Sequence, residues 1–210
     1  MGNRFAEIAF TPAVTAQQEA YGSRASYARF SEGEPWNDRL GPKEIEFITV
    51  RDGFYLASVS ETGWPYVQFR GGAPGFLRVL DERTVAWADF RGNRQYVSVG
   101  NASGNDRVSM ILMDYANRRR LKILGRVEIR EVGADDSLAA RLAVPGYRAV
   151  VERAVLVHLA GFDWNCPQHI TPRFTLDEIE QATKPLRERV AELEAKLASC
   201  EAQSASVARP

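Results

Sequence analysis

The chain has 210 residues, 45% hydrophobic and 26% charged, a balance that excludes a disordered or collagenous chain and fits one domain with appendages or two small ones. Its 27 basic and 27 acidic side chains cancel, so no whole-molecule field favours nucleic acid or an acidic membrane, and any anion site must be local. No run has the length of apolar residues a spanning helix needs, and MGNRFAEIAF lacks the apolar stretch of a secretory signal. Ala6 stands where an N-myristoylation motif wants Ser or Thr. A cytoplasmic protein with no membrane or nucleic-acid partner is expected. Cys166 and Cys200 read as free thiols, and His158 and His169, the two histidines, offer no zinc spacing, so no metal is expected.

The first fifty residues read as helical. Thr11 caps a helix that opens at Pro12 and stops near Gly22, and a second runs from Pro42 through Ile45, Phe47 and Ile48 to about Arg51. From Gly53 the period changes to two. Phe54–Ser60 and Trp64–Arg70 flank a Gly-containing turn as a β-hairpin, and FLRVLD with TVAWADF makes a second hairpin. A short helix fills the span between Arg91 and Asn101. VSMILM, 108–113, is a continuous apolar run, the pattern of a strand buried on both faces.

In RRLKILGRVEIRE, Leu121, Ile123, Val127 and Ile129 share one face, and Gly125 interrupts a strand long enough to need a bend or bulge there. A short helix over 135–142 and a last strand over 150–162 follow. Six or seven strands joined by tight turns, without strand–helix–strand alternation, give a mainly β fold with flanking helices (α+β): a closed or nearly closed antiparallel barrel. The tail is helical. Thr175 and Glu178 form a capping box, Phe174 and Ile179 are placed to staple it, and Ile179, Thr183, Leu186, Val190, Leu193, Leu197 and Cys200 step by alternating fours and threes as a heptad seam. Pro185 is expected to break the helix near Thr183. The seam fits either the protein's own barrel or a partner subunit.

Three segments carry candidate chemistry. FRGNRQYVSVGN sets Arg91, Asn93 and Arg94 on a turn entering a helix, which suits a phosphate monoester and equally a solvated turn. In YVQFRGG, Gln68 and Arg70 alternate with Val67 and Phe69 on a strand ending in glycines that a flat ligand can approach. FDWNCPQHITPRF gathers Trp164, Cys166, Gln168 and His169 after the last strand, as a substrate-side group or a structural loop. Arg118–Lys122 is a further basic cluster, read as a solvated strand edge.

The order of pieces, from FYLASVSETGWPYVQFRGG through FRGNRQYVSVGN and MDYANRRRLKILGRVEI to FDWNCPQHITPRF, resembles the pyridoxamine 5'-phosphate oxidase-related FMN-binding split β-barrels over about residues 40 to 174. That resemblance implies a split-barrel domain over 42–174, which leaves a helical extension over 1–41 and a helix and tail over 175–210 outside it. It also implies a homodimer with FMN in a cleft between subunits and a small-molecule substrate. Gln68, Phe69 and Arg70 would run beside the flavin ring. The turn Arg91–Gln95 would hold the phosphate, with Arg94 its main ligand, Arg91 a substitute, and Asn93 and Gln95 beside them. Arg120 would reach the ring's polar edge. A Gln168–His169 pair only faintly echoes the family's Arg-x-His substrate grip, so pyridoxamine phosphate itself is not implied. Catalytic residues are not assigned. The same barrel type can seat a deazaflavin or a haem, for which His158 and His169 would be the available axial histidines, and a storage or sensing role without turnover is the alternative to an oxidoreductase.

Overall fold

A computed structural model describes residues 2–28, 30, 36–131 and 136–207. The chain divides into two compact units, 1–170 and 171–210. Three short helices open the first unit: α1 (Arg4–Ala9), α2 (Pro12–Ala20) and α3 (Arg24–Ala28). The Asn3 side chain accepts from the Ala6 N–H at 3.0 Å to start α1, and Thr11 with Pro12 starts α2. In α4 (Pro42–Thr49), the Glu44 carboxylate accepts from the Gly41 N–H at 3.1 Å, and Phe47 and Ile48 are buried.

The strands are β1 (Gly53–Val59), β2 (Pro65–Gly71), β3 (Arg78–Asp81), β4 (Thr84–Phe90), β5 (Arg107–Asp114), β6 (Arg119–Glu131) and β7 (Val151–Trp164), with α5 (Val97–Gly104) before β5 and α6 (Asp136–Leu142) before β7. All pairings are antiparallel, in one seven-stranded sheet of order β2-β1-β5-β6-β7-β4-β3. The sheet curls until β2, at one edge, meets β4 near the other through side chains rather than ladder bonds. This is the split antiparallel barrel. Its interior is packed by Phe54, Leu56, Phe76, Leu77, Trp87, Met110, Leu112, Leu121, Ile123 and Val157.

Burial corrects one expectation. β5, which the apolar run marks as covered on both faces, buries Val108, Met110 and Leu112 on one face and leaves Ile111 exposed on the other. The doubly covered strand is β4: its Trp87 side faces the barrel core, while Ala86 and Ala88 pack with Leu138 and Leu142 of α6. A helix laid over one part of the sheet decides which strand is hidden on both sides; composition does not. The helix expected between Arg91 and Asn101 begins later, at Val97. Of the helix expected over 135–142, Asp135 lies outside the described residues.

Glycines mark two close approaches. At Gly125 the β6–β7 register shifts, and a Cβ there would lie 2.6 Å from the His158 carbonyl oxygen. At Gly161 a Cβ would lie 2.8 Å from the Phe5 nitrogen, because α1 sits directly on β7.

The second unit holds α7 (Leu176–Val207). Its capping box forms: the Glu178 N–H donates to the Thr175 hydroxyl at 3.2 Å, and the Thr175 N–H donates to the Glu178 carboxylate at 2.8 Å. Pro185 does not break the helix, contrary to the sequence expectation. A proline removes the bond its N–H would have made to the Gln181 carbonyl and crowds that carbonyl, but the turns on either side continue, with the Thr183 hydroxyl donating to the Ile179 carbonyl at 2.8 Å.

Gly125→Ala forces a backbone oxygen aside and is expected to cost about 1–3 kcal/mol in urea unfolding. Gly100→Ala in α5, where a Cβ meets nothing within 4 Å, is expected to be neutral or to gain up to about 1 kcal/mol. A Gly125→Ala protein as stable as the parent would contradict the account of the bulge.

Candidate functional site

The alternation of β2 turns Tyr66, Gln68 and Arg70 inward and leaves Val67 and Phe69 outside. Opposite them stands Asp89, the one acid in the apolar TVAWADF strand, 5% exposed. Arg70 Nη1 donates to Asp89 Oδ1 at 2.9 Å, and Arg153 Nη1 from β7 donates to Oδ2 at 3.2 Å. Burial pushes the Asp89 carboxyl above its ordinary 3.8, while the two guanidinium groups pull it back.

From Asp89 the chain leaves β4 into the turn 91–96. Asn93 Oδ1 accepts from the Gln95 N–H at 3.2 Å, an Asx turn, and Arg94 and Tyr96 both take left-handed backbone angles, φ 61° and 54°. Two such residues two positions apart cost strain that neighbouring contacts must hold. The contacts are present: Arg94 Nε donates to the Tyr96 hydroxyl at 3.1 Å, that hydroxyl donates to Glu152 at 3.3 Å, and the Arg153 guanidinium lies 4.9 Å from the Tyr96 ring centroid. Arg91 Nε donates to Glu152 at 3.0 Å. Burial acts to raise Glu152, but the bonds from Arg91 and Tyr96 and the charge of Arg153 outweigh it and hold the carboxyl below its ordinary 4.5.

Tyr96 then caps α5 without a side-chain bond to it, and Val97 and Val99 at the start of α5 line the same space. Ser98 donates to the Gln68 side chain at 3.2 Å. Together Gln68, Arg70, Asp89, Arg94, Tyr96 and Arg153 bound an open cleft of about 190 Å³, smaller than the roughly 300–1,000 Å³ of a complete small-molecule site. Arg70, Arg91, Arg94 and Arg153 stand against Asp89 and Glu152, an excess of two positive charges. The Nε atoms of Arg70 and Arg153 are buried with no hydrogen-bond partner. The cleft therefore offers donors and positive charge to an anion, with polar side chains from β2 for a flat group beside it.

Of the residues singled out in the sequence, Gln68, Arg70, Asn93, Arg94 and Gln95 line this cleft, and Arg91 joins it through Glu152. Phe69 does not: it lies on the opposite face, its ring 5.4 Å from that of Tyr55. Arg120 lies elsewhere, its Nη2 donating to the Cys166 carbonyl at 3.2 Å. Trp164 is the last residue of β7, not part of a following loop. Its indole donates to Glu44 at 2.7 Å and its ring packs edge-on to Phe47 at 4.8 Å, pinning α4 to the sheet. Arg119 stacks on both rings, and Lys122 pairs with Asp163 at 2.9 Å, so this basic cluster is spent largely on structure. Cys166, Gln168 and His169 are exposed and outside the cleft. Among the described residues no group of three or more His, Cys, Asp or Glu could hold a metal, and no helix is long and apolar enough to cross a membrane.

Asp89, Tyr96, Glu152 and Arg153 were not evident as site residues in the sequence. Their signals were an acid amid a buried apolar strand, and a Glu-Arg pair opening an otherwise apolar one.

The family model described as pyridoxamine 5'-phosphate oxidase matches residues 42–160. No curated protein matches the sequence. Among solved structures, the chain is similar to HupZ of Group A Streptococcus, at 17% identity over 64% of this chain and 99% of that one, TM-score 0.49. It is similar to a protein related to general stress protein 26, of the pyridoxinephosphate oxidase family, from Clostridium acetobutylicum (15%, 65% and 94%, 0.43). A third is an FMN-binding protein from Syntrophomonas wolfei (12%, 70% and 97%, 0.42).

Because the folded Glu152 carboxyl is held below its unfolded value, the stability it contributes is present above about pH 4.5 and is lost as the pH falls through the lowered folded value. Glu152→Gln is expected to lower the urea midpoint at pH 7, with the gap to the parent closing below that range. A gap that persists unchanged in acid would mean that Glu152 acts by packing alone.

Proposed function

Because the chain belongs to the pyridoxamine 5'-phosphate oxidase family over residues 42–160, we propose that it binds FMN in this cleft and acts as an FMN-dependent oxidoreductase on a small molecule. The observation that carries the reading is the cleft itself. Arg70, Arg94 and Arg153, with Arg91 at the rim, converge with the start of α5 on a space lined on its β2 side by Gln68 and Arg70. A phosphate monoester suits this excess of guanidinium groups, and a helix start favours the same ligand.

When bound, FMN supplies the electron transfer. The chain's own residues do the rest. Arg94 and the start of α5 hold the phosphate, with Arg91 at the rim. Gln68 and Arg70 donate to the polar edge of the ring, and Asp89, by fixing both Arg70 and Arg153, keeps those donors in place without reorganisation on binding. Phe90 and Val99 line the same wall and exclude water.

The reading also includes a homodimer. Tyr55, Val67, Phe69 and Ile111 form an exposed apolar patch on the outer face of β1, β2 and β5, of the kind that marks a protein interface. In that assembly Arg120, Cys166, Gln168 and His169, which do not reach the cleft of their own protomer, are assigned to a cleft completed by the second copy, Arg120 to the polar edge of the ring and the other three to the substrate side.

Arg94→Ala tests the phosphate assignment. FMN affinity, read by quenching of flavin fluorescence, is expected to fall about 10- to 100-fold, the loss of one charge-assisted bond. Affinity for riboflavin, which has no phosphate, is expected to stay unchanged. Equal loss for both ligands, or no loss for FMN, would overturn the assignment.

A further inference from the structure

The matched family region ends at residue 160, and α7 lies beyond it as a unit of its own. In heptad terms, Thr183, Val190 and Leu197 occupy a positions and Ile179, Leu186, Leu193 and Cys200 occupy d positions. Ile179, Leu186, Val190, Leu193 and Leu197 are all exposed, Leu186 at 68%. The remaining positions, such as Lys184, Glu188, Glu192 and Ser199, are polar or small. A helix that carries one apolar stripe gains most of its stability from whatever covers that stripe.

We infer that residues 179–200 form a parallel, two-stranded coiled coil with a second copy of this chain. Two features select that occupant. First, β-branched Thr183 and Val190 at a with Leu186 and Leu193 at d is the arrangement that favours two parallel strands. Second, the flanking charges fit only one orientation well. In a parallel pair, Arg189 at g faces Glu194 at e of the other copy, twice by symmetry, and the pairing is attractive. In an antiparallel pair, Arg189 faces Lys196, and this repulsion offsets the attraction between Arg187 and Glu194. Within one helix Arg189 and Lys196 both lean on Glu192, each at 2.6 Å, exposed pairs too weak to hold Arg189 from a second partner. Glu194 has no ion-pair partner among the described residues. Pro185 falls at c and the carbonyl it leaves unpaired, that of Gln181, at f, so both lie on the outward face and the seam passes Pro185 unbroken.

The inference rests on the tail alone and is independent of the cofactor reading. A parallel, in-register pair sets the two Cys200 thiols in one layer. An antiparallel pair moves each Cys200 opposite the partner's Thr183, about 25 Å from the other thiol at 1.5 Å per residue.

The test is crosslinking of the full chain, in a Cys166→Ser background, by a short bismaleimide that joins two thiols. The expected result is a covalent dimer through Cys200. Leu193→Asp is expected to cut its yield about tenfold or more, while far-UV circular dichroism shows the barrel still folded. Arg189→Glu lowers the yield and Arg189→Glu with Glu194→Arg restores it. No covalent dimer, as expected if the seam binds its own barrel or pairs antiparallel, would overturn the proposal. So would a yield unaffected by Leu193→Asp, the sign of chance proximity. A protein that remains dimeric by light scattering in Leu193→Asp but loses the Cys200 crosslink keeps the barrel dimer and the coil distinct.

Discussion

Asp89 joins the two parts of the sheet that backbone hydrogen bonds leave apart. β2 and β4 are first and sixth in the strand order, so the curl that brings them together must be held by side chains. The carboxylate, accepting from Arg70 on one side and Arg153 on the other, spans that gap. Buried ions are costly to desolvate, and such a group is weak evidence for stability in itself. Its effect is on geometry, because removal of any member leaves a buried charge without its counterpart, and the cleft beside it exists only while the strands stay at this separation.

The rest of the cleft follows from that point. β4 ends one residue after Asp89, and the chain must turn sharply to start α5 beneath β2. The left-handed Arg94 and Tyr96 make the turn, and Glu152, held by Arg91, Arg153 and the Tyr96 hydroxyl, fixes it from β7. The strain is stored beside the guanidinium donors of the cleft. At the Gly125 bulge the β6–β7 pairing shifts register, and the missing Cβ lets the strands stay close there.

The fold was largely legible because period-two alternation and glycine-bearing turns are local signals: the hairpins, the Gly125 irregularity and the capping box at Thr175 all appear where sequence places them. What escaped depended on tertiary cover. VSMILM reads as doubly buried, yet nothing among the described residues hides Ile111, whereas α6 hides the outer side of β4. Pro185 reads as a helix break, yet one missing bond on an outward position does not stop a helix of this length. The site was half legible. Gln68, Arg70 and Arg94 carry visible chemistry on visible elements, but Asp89, Glu152 and Arg153 acquire their roles only when β4 and β7 are brought opposite β2. Trp164, by contrast, looks chemical and, with Arg119, is engaged in packing α4 against the barrel.

The central claim is that this cleft carries FMN. The most direct measurement is the absorption spectrum of the purified protein, with the released chromophore identified by mass. The account predicts bands near about 370 and 450 nm, those of oxidised flavin, and the mass of FMN. A colourless protein that takes up no added FMN, or one whose released chromophore is a haem or a deazaflavin, would contradict it.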